Sequence, residues 1–297
     1  MKVLAYLHNC NAGDLICALP VIREAYRKCG KKAIIYQVLD MPGHYMPGLI
    51  HSVKDGKGAQ VTFNRKMFDM MRPLLLSQDY VEDFRVYDSQ KIDIDLTIIR
   101  ESVVGTEDES AKPHRIIRAK HFVNIPHMAI AGWLMLAYPN LACDISKPWM
   151  KIPNEDIENP ISDYILVNRT ERYQCPEMDY RFLKKYQADL LFTGTQTEHY
   201  KFCKEFELDF PRLEVEHFFE LAQALRVCRF FIGNQSFPWN LANAMGVPRI
   251  LEMFDQAPNC QPFMGENNYG SFWTWGMECH FEELYNKRAA PKERPKV

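Results

Sequence analysis

An aspartate follows the first apolar segment of the chain, at a place where a carboxylate can do acid–base chemistry. Residues 3–8 read VLAYLH, and the next loop, NCNAGD, ends in Gly13 and Asp14. A carboxylate at the carboxyl end of a strand can accept a proton from a substrate hydroxyl, and His8 and Asn11 of the same loop could contact that substrate. An aspartate that opens a helix is also an ordinary N-cap, because its side chain accepts the free N–H groups of the first turn. Local composition leaves both roles of Asp14 open.

Two arginines follow a later predicted strand at residues 164–168. Arg169 and Arg172 flank Thr170 in the loop VNRTERYQ. The planar guanidinium group forms forked hydrogen bonds with phosphate oxygens, so this loop is a candidate for binding a diphosphate. A solvated loop that carries two charges is the alternative.

Two further loops combine glycine with polar side chains. Gly194 and Thr195 follow the apolar segment LLF, and a glycine lets a ligand approach the backbone closely. The other loop follows FFI and leads into a helix with a proline near its start, and its candidate residues are Gly233, Asn234, Gln235, Ser236 and Phe237. The N-terminus of a helix carries the positive end of its dipole and attracts anions. An ordinary turn capped by Ser236 is the alternative. Glu220, on the preceding predicted helix, could reach a ribose hydroxyl or could be an exposed helix residue.

The elements that must position these loops alternate between strand and helix in both halves of the chain. Apolar residues recur at helical spacing at 15, 19, 22 and 26, and again from 218 to 228. Residues 146–163 contain three prolines and little periodicity, which predicts a linker. We therefore expect an α/β protein with two Rossmann-like, doubly wound domains, residues 1–152 and 153–297, facing each other across a cleft. The second domain would end in a helix and a basic tail. Ligands bind outside the carboxyl ends of such strands.

Composition limits the classes of partner. The 297 residues include 36 Lys and Arg against 38 Asp and Glu, and a net charge of −2 disfavours a generally basic nucleic-acid binder. The one compact basic stretch is HRIIRAK, residues 114–120, so a nucleic-acid partner is disfavoured and not excluded. The nine cysteines include no CxxC pair, which predicts free thiols in a reducing cytoplasm, and no Cys/His cluster has the spacing of a metal site. The first segment is interpreted as a strand and not a signal peptide, and no apolar run reaches the length of a transmembrane helix.

Three stretches resemble the heptosyltransferase-type glycosyltransferases, glycosyltransferase family 9. NAGDLICALPVIREAYRKCG resembles the opening of that family, with a glycine–aspartate pair, an apolar stretch with proline, a helix and a glycine. ILVNRTERYQCPE with DLLFTGTQTEH resembles the start of its second domain. FFELAQALRVCRFFIGNQSFPWNLANAMGVPRILEMF is the most specific match. Together they cover roughly residues 1–30 and 164–254.

The resemblance implies a GT-B fold and an inverting, metal-independent transfer from a nucleotide-activated sugar, with no cofactor. Asp14 would deprotonate the acceptor hydroxyl. The donor diphosphate would lie at the N-terminus of the helix after Ser236, aided by Arg169 and Arg172. The acceptor would be a saccharide or a lipid-linked saccharide.

The sequence also departs from the family pattern. Gln235, Phe237 and Asn240 stand where the family has aspartate, glycine and histidine, and Tyr173 stands where a basic residue is usual. Three functions therefore stay open: a glycosyltransferase, a non-catalytic nucleotide or sugar-phosphate binding protein on the same fold, and a DNA-base glycosyltransferase of the phage type.

Overall fold

The computed structural model describes residues 3–43, 49–97, 129–153, 161–256, 260, 262 and 265–289. Residues 114–120 and the tail from Pro291 lie outside these ranges, so the structure does not bear on the basic stretch or on the tail. The described chain forms two sheets whose paired strands all run parallel, each accompanied by helices. The predicted α/β, doubly wound architecture is confirmed.

The first sheet has four strands in the order β3-β2-β1-β4. These are β1 (Leu4–His8), β2 (Ala33–Gln37), β3 (Val81–Val86) and β4 (Ile94–Asp95). Its helices are α1 (Ala12–Cys29), α2 (Arg65–Leu76) and α3 (Ile130–Ala137), and α3 is followed by a 3₁₀ turn at Pro139–Leu141. Gly30 ends α1 with φ 66°, a left-handed conformation that glycine adopts without strain.

The second sheet has six strands in the order β10-β9-β8-β5-β6-β7. These are β5 (Ile165–Asn168), β6 (Leu190–Thr193), β7 (Arg212–Leu213), β8 (Phe231–Asn234), β9 (Arg249–Glu252) and β10 (Asn268–Ser271). Its helices are α4 (Gln196–Phe206), α5 (Phe218–Val227), α6 (Phe237–Met245) and α7 (Thr274–Ala289). The segment Tyr180–Asp189 is a 3₁₀ helix. Every residue of β5, β8 and β9 is buried, as expected of parallel strands covered on both faces.

The two halves pack directly on each other through α1 against α6 and α2 against α5. Part of the predicted linker takes part in this packing. Trp149 is 1% exposed, its indole N–H donates to the carbonyl of Ile16 at 3.0 Å, and its backbone N–H donates to Ala244 at 2.9 Å. Residues 149 and 150 therefore join the two halves and are not an exposed connection. Residues 154–160 lie outside the described part, and the boundary at 152 stays a prediction.

No helix in the described part of the chain is long and apolar enough to cross a membrane. All nine cysteines lie in described ranges and are free thiols, of which Cys10, Cys17, Cys175, Cys228 and Cys260 are buried.

Candidate functional site

A cavity of about 450 Å³ lies between the two halves, at the carboxyl ends of their strands. The first half contributes the start of α1 and residues from 50–53 and 62–70. The second half contributes the loops after β5, β6 and β8 and the segment from β7 to α5. The expected cleft is therefore present, and we refer to this cavity as the cleft.

Most of the predicted site residues line the cleft. They are Asn11, Gly13, Asp14, Thr170, Arg172, Gly194, Thr195, Gln235, Ser236, Phe237 and Asn240. Five others do not line it: His8, Arg169, Glu220, Gly233 and Asn234. Position alone does not assign a role, so the roles of the first group stay predictions.

Asp14 lies in the first turn of α1, as the third residue of the helix. The N-cap is Asn11 and not Asp14, because α1 begins at Ala12 and the backbone of Asn11 is extended. The backbone N–H of Asn11 donates to Oδ2 of Asp14 at 2.9 Å, as in a capping box. The side-chain amide of Asn11 donates to the same oxygen at 3.2 Å. Oδ1 makes no hydrogen bond with any described residue. Asp14 therefore supports the helix start with one oxygen and has the other available at the cleft.

The starts of α1 and α6 approach each other closely at Gly13. A Cβ atom on Gly13 would lie 2.7 Å from Nδ2 of Asn240, so a larger residue would require the Asn240 side chain to move. Asn240 donates to the carbonyl of Ser236 at 3.0 Å and accepts from the thiol of Cys17 at 3.3 Å. Burial raises the pKa of the neighbouring Cys260 thiol to about 12, with the charge of Asp14 as a second cause. Gly13 and Asn240 therefore bring the two halves into contact at the cleft, which both residues line.

The side chain of Asn234 bonds to the loop after β5 and does not line the cleft. Its side chain is fully buried; Oδ1 accepts from the backbone N–H of Thr170 at 3.0 Å, and Nδ2 donates to the carbonyl of Arg172 at 2.6 Å. Tyr173 has φ 56°, and the guanidinium carbon of Arg172 lies 4.9 Å from the centre of its ring. Asn234 therefore fixes the turn that presents Arg172 to the cleft.

Arg169 lies beneath this loop, away from the cleft. Its Nε donates to Oε2 of Glu252 at 2.9 Å, and Nη1 donates to Glu205 at 3.2 Å. The residue is 5% exposed. Burial by itself would lower the pKa of Arg169, but the carboxylate of Glu252 outweighs it and the net shift is upward. The sequence-based expectation that Arg169 faces a diphosphate is corrected, because this guanidinium is committed to a buried ion pair.

The other three residues outside the cleft have local partners. His8 is fully buried, and its Nδ1 lies 2.7 Å from Oε1 of Gln37. Glu220 accepts from the backbone N–H of Glu216 at 2.7 Å. Gly233 faces β5, where an added Cβ would lie 2.4 Å from the carbonyl oxygen of Asn168, so only glycine fits this strand pairing.

The start of α6 is open to an anion but offers few donors. Ser236 is the N-cap and its hydroxyl accepts from Trp239 N–H at 3.4 Å, while Pro238 has no N–H to offer. The Phe237 N–H is the first-turn donor that no described residue accepts. The ring of Phe237 packs on that of Phe218, with centroids 4.2 Å apart. The first turn contains no acidic residue, so nothing there opposes a bound negative charge.

The sequence-based prediction missed several polar residues of the cleft, among them Lys66, Asn168, Glu198 and Arg212. Glu198 is 5% exposed and accepts from the N–H and the hydroxyl of Thr195 at 2.8 and 2.9 Å, and burial raises its pKa. The spacing of threonine and glutamate in TQTE is that of a capping box and could have revealed this pair. Arg212 donates to the carbonyl of Gly194 at 3.3 Å. It lies in a two-residue strand, which leaves no periodic signal.

Among the described residues, no three His, Cys, Asp or Glu side chains cluster closely enough to hold a metal ion. The charged groups that line the cleft are Lys66, Arg172 and Arg212 on the positive side and Asp14 and Glu198 on the negative side. This arrangement offers cationic side chains and a helix terminus to an anionic ligand.

No protein-family model matches the sequence, and a search of curated proteins finds no match either. Solved structures do match. A family 9 glycosyl transferase from Veillonella parvula DSM 2008 is 13% identical with a TM-score of 0.52, covering 98% of this chain and 92% of that chain. The E. coli ADP-heptose LPS heptosyltransferase II is 12% identical with a TM-score of 0.50, covering 98% and 100%. The E. coli heptosyltransferase WaaC with ADP is 11% identical with a TM-score of 0.52, covering 98% and 100%. Over nearly its whole length, the chain therefore has the GT-B fold of these glycosyltransferases.

Proposed function

We propose that the chain is a glycosyltransferase that moves a sugar from a nucleotide-activated donor to an acceptor hydroxyl. One observation carries the proposal: Asp14 enters the cleft from one half, and the first turn of α6 with Arg172 enters it from the other. A carboxylate opposite positive groups suits an attacking hydroxyl on one side and a departing diphosphate on the other. The fold similarity to heptosyltransferases supports the same function.

Asp14 is the general base in this proposal. Its carboxylate takes the proton of the acceptor hydroxyl while the hydroxyl oxygen forms a bond to the anomeric carbon of the donor sugar. The bond from that carbon to the diphosphate oxygen breaks, and its electron pair leaves with the diphosphate. Attack from the side opposite the leaving group inverts the configuration of the anomeric carbon.

The departing diphosphate is stabilised by fixed positive groups. Arg172 supplies a forked donor, and the N–H of Phe237 with the dipole of α6 supplies a second contact. Arg212 and Lys66 add positive charge at the same cavity. We propose that these groups replace a metal ion, so turnover should persist in excess chelator.

The comparison with solved structures also supports a class of donor. A neighbour described as an ADP-heptose heptosyltransferase supports a nucleoside-diphosphate sugar as the donor. We propose a saccharide or a lipid-linked saccharide as the acceptor.

A binding protein without turnover is the second candidate, and the start of α6 favours it. Pro238 removes one N–H from the anion site, and the ring of Phe237 against Phe218 fills space beside it. Such a protein would hold a nucleotide or a sugar phosphate in the same cleft.

Release of free nucleotide from a panel of nucleotide sugars, with saccharide acceptors, separates the two candidates. We expect release by the native protein and a loss of about 10²- to 10⁴-fold in Asp14→Asn, the usual contribution of a general base. Asparagine keeps an oxygen for the capping bond, so this variant should fold. Asp144→Asn, on an exposed turn where its partner is Ser146, is the matched control and should not change the rate. Binding without release by any combination would favour the second candidate, and no stabilisation by any nucleotide in thermal melts would contradict both.

A further inference from the structure

Three aromatic side chains are exposed at the junction between β10 and α7. Phe272 is 37% exposed, Trp273 is 57% exposed and Trp275 is 73% exposed. We refer to these three residues as the aromatic patch. Exposed apolar groups that lie close together mark interaction sites, whereas single ones are ordinary. Because these three lie within four consecutive residues, the aromatic patch is a candidate binding surface.

The turn that carries Trp273 is held in place by its neighbours. The backbone N–H of Trp273 donates to the hydroxyl of Ser271 at 3.3 Å, and this hydroxyl donates to the carbonyl of Trp273 at 2.8 Å. A Cβ atom on Gly276 would lie 2.9 Å from Nε1 of Trp273, so glycine leaves the space in which the indole ring lies. The ring is therefore presented in a defined position, and a ligand that stacks on it costs little conformational entropy.

The aromatic patch lies at the same edge of the second sheet as the cleft. The strands run parallel, and their register sets Ser271 beside Glu252 and Glu252 beside Asn234. The chain therefore leaves β10 toward Phe272 at the level at which it leaves β8 toward the cleft. Because β10 is two strands away from β8, these strand ends are about 10 Å apart.

The loop after β5 connects the cleft with the aromatic patch. It presents Arg172 to the cleft, and three residues later the thiol of Cys175 donates to the carbonyl of Phe272 at 2.8 Å. Further along, the carbonyl of Glu177 accepts from the hydroxyl of Thr274 at 2.9 Å. A molecule that enters the cleft can therefore extend along this loop to the patch.

The charges around the aromatic patch favour a neutral partner. Among the described residues, Arg181 pairs with Asp179 at 2.9 Å, and the backbone N–H of Asp179 donates to the start of α7. Lys185 pairs with Glu278 at 3.4 Å, and Glu177 adds a negative charge. Both cations thus face carboxylates. The phosphate groups of a nucleic acid or of an anionic membrane would meet no excess of positive charge at this surface.

We propose that the aromatic patch binds a neutral saccharide, the part of the acceptor that lies beyond the sugar in the cleft. One face of a pyranose ring presents C–H groups that pack on the electron-rich face of an indole ring, while the hydroxyl groups stay in water. The acceptor is therefore an oligosaccharide and not a single sugar. The inference rests on the proposed function, because it takes a saccharide acceptor as an occupant of the cleft.

Fluorescence quenching tests the aromatic patch without any turnover. The chain has five tryptophans, of which Trp133, Trp149 and Trp239 are buried, so acrylamide in water reaches Trp273 and Trp275 preferentially. Neutral oligosaccharides of increasing length, built from glucose, galactose, mannose or N-acetylglucosamine, are titrated into the full-length protein. We expect protection from quenching that grows with the length of the oligosaccharide.

Trp275→Ala is the decisive variant, because an exposed side chain is removed and alanine favours the helix. We expect the affinity for the protecting oligosaccharide to fall about tenfold in calorimetric titration, in line with the loss of one stacked aromatic ring. In turnover assays KM for this oligosaccharide should rise by a similar factor, whereas KM for a monosaccharide acceptor should not rise. Tyr200→Ala is the matched control, since Tyr200 is an exposed aromatic residue on α4, and should leave both unchanged.

The two proposals fail in different ways. Release of nucleotide with a saccharide acceptor that does not protect the tryptophans would overturn the aromatic patch and leave the proposed function intact. Protection by vesicles of anionic phospholipid, or by self-association at high protein concentration, without protection by saccharides would also overturn it. Protection by oligosaccharides without release of nucleotide by any donor and acceptor would support the patch and contradict the proposed transfer. The absence of both protection and release would overturn both.

Discussion

The loop after β5 has two faces, and its two arginines lie on different ones. Arg169 is buried with Glu252, which is itself fully buried, whereas Arg172 lines the cleft over the ring of Tyr173. Arg169 stabilises the fold on one face of the loop, and Arg172, three positions later, lines the cavity on the other face. One charge of this loop therefore stabilises the loop itself, and the other is presented to the cleft. Substitutions should therefore separate stability from binding.

Arg169→Met should give the largest effect on stability. Removing one partner of a buried ion pair leaves the carboxylate of Glu252 uncompensated, at a cost of about 3–5 kcal/mol in the free energy of unfolding. Denaturant unfolding followed by circular dichroism measures it. Lys184→Met removes the exposed pair with Glu207 and should cost less than about 1 kcal/mol. Equal losses of stability in Arg169→Met and Lys184→Met would show that the buried arginine stabilises the fold no more than an exposed ion pair does.

Asn234→Ala should affect both faces, because Asn234 links the loop to β8. Its amide bonds to the backbone of Thr170 and Arg172, and leaving those groups unpaired should cost about 1–3 kcal/mol of stability. Nucleotide affinity should fall as well, although the residue does not line the cleft. Calorimetric titration beside thermal melts measures both, and an affinity equal to that of the native protein would show that Asn234 does not position Arg172.

Arg172→Gln should change binding more than stability. A charge-assisted hydrogen bond is worth about 1.5–3 kcal/mol, so affinity for a nucleoside diphosphate should fall roughly 10- to 150-fold. The free energy of unfolding should fall by less than in Arg169→Met, because the guanidinium paired with the buried Glu252 is that of Arg169. Arg181→Gln removes an exposed arginine that pairs with Asp179 and serves as the control for charge. A loss of stability without a loss of affinity would reverse the assignment of the two faces.

Glu198 lies between the two faces, since it lines the cleft and the smaller cavity beside Arg169. Burial raises its pKa, with Glu171 adding to the rise and Arg172 opposing it. The folded-state pKa lies above the unfolded value, so the stability contributed by the protonated carboxyl is present at low pH and lost as pH rises through the folded pKa. Glu198→Gln should therefore be more stable relative to the native protein at pH 8 than at pH 4. Denaturant unfolding of both proteins at the two pH values measures it, and a difference that is independent of pH would contradict this.

Much of the fold could be predicted from local patterns. The helical spacing of apolar residues predicted α1 and α5. The loop that begins at Gly233, with Pro238 near the helix start, predicted α6. The short β7 and the 3₁₀ segment at residues 180–189 could not be predicted, because two residues carry no period and the apolar pattern of a short helix does not distinguish its type.

The site could be predicted to the level of loops and not of individual side chains. The surroundings of Arg169 depend on Glu252, 83 residues away, and those of Asn234 on a loop 64 residues earlier. The role of Asp14 could not be predicted from its sequence neighbours either. Its neighbours in sequence suggested either a cap or a base, and the structure shows a carboxylate that supports the helix start with one oxygen and also lines the cleft.

A crystal structure of the protein with a bound nucleoside diphosphate tests the central claim most directly. We predict the diphosphate between Arg172 and the N–H of Phe237, within hydrogen-bond distance of both, with Asp14 across the cleft on the side where an acceptor hydroxyl would attack. A nucleotide bound elsewhere, or a diphosphate turned away from Arg172 and the start of α6, would contradict the account.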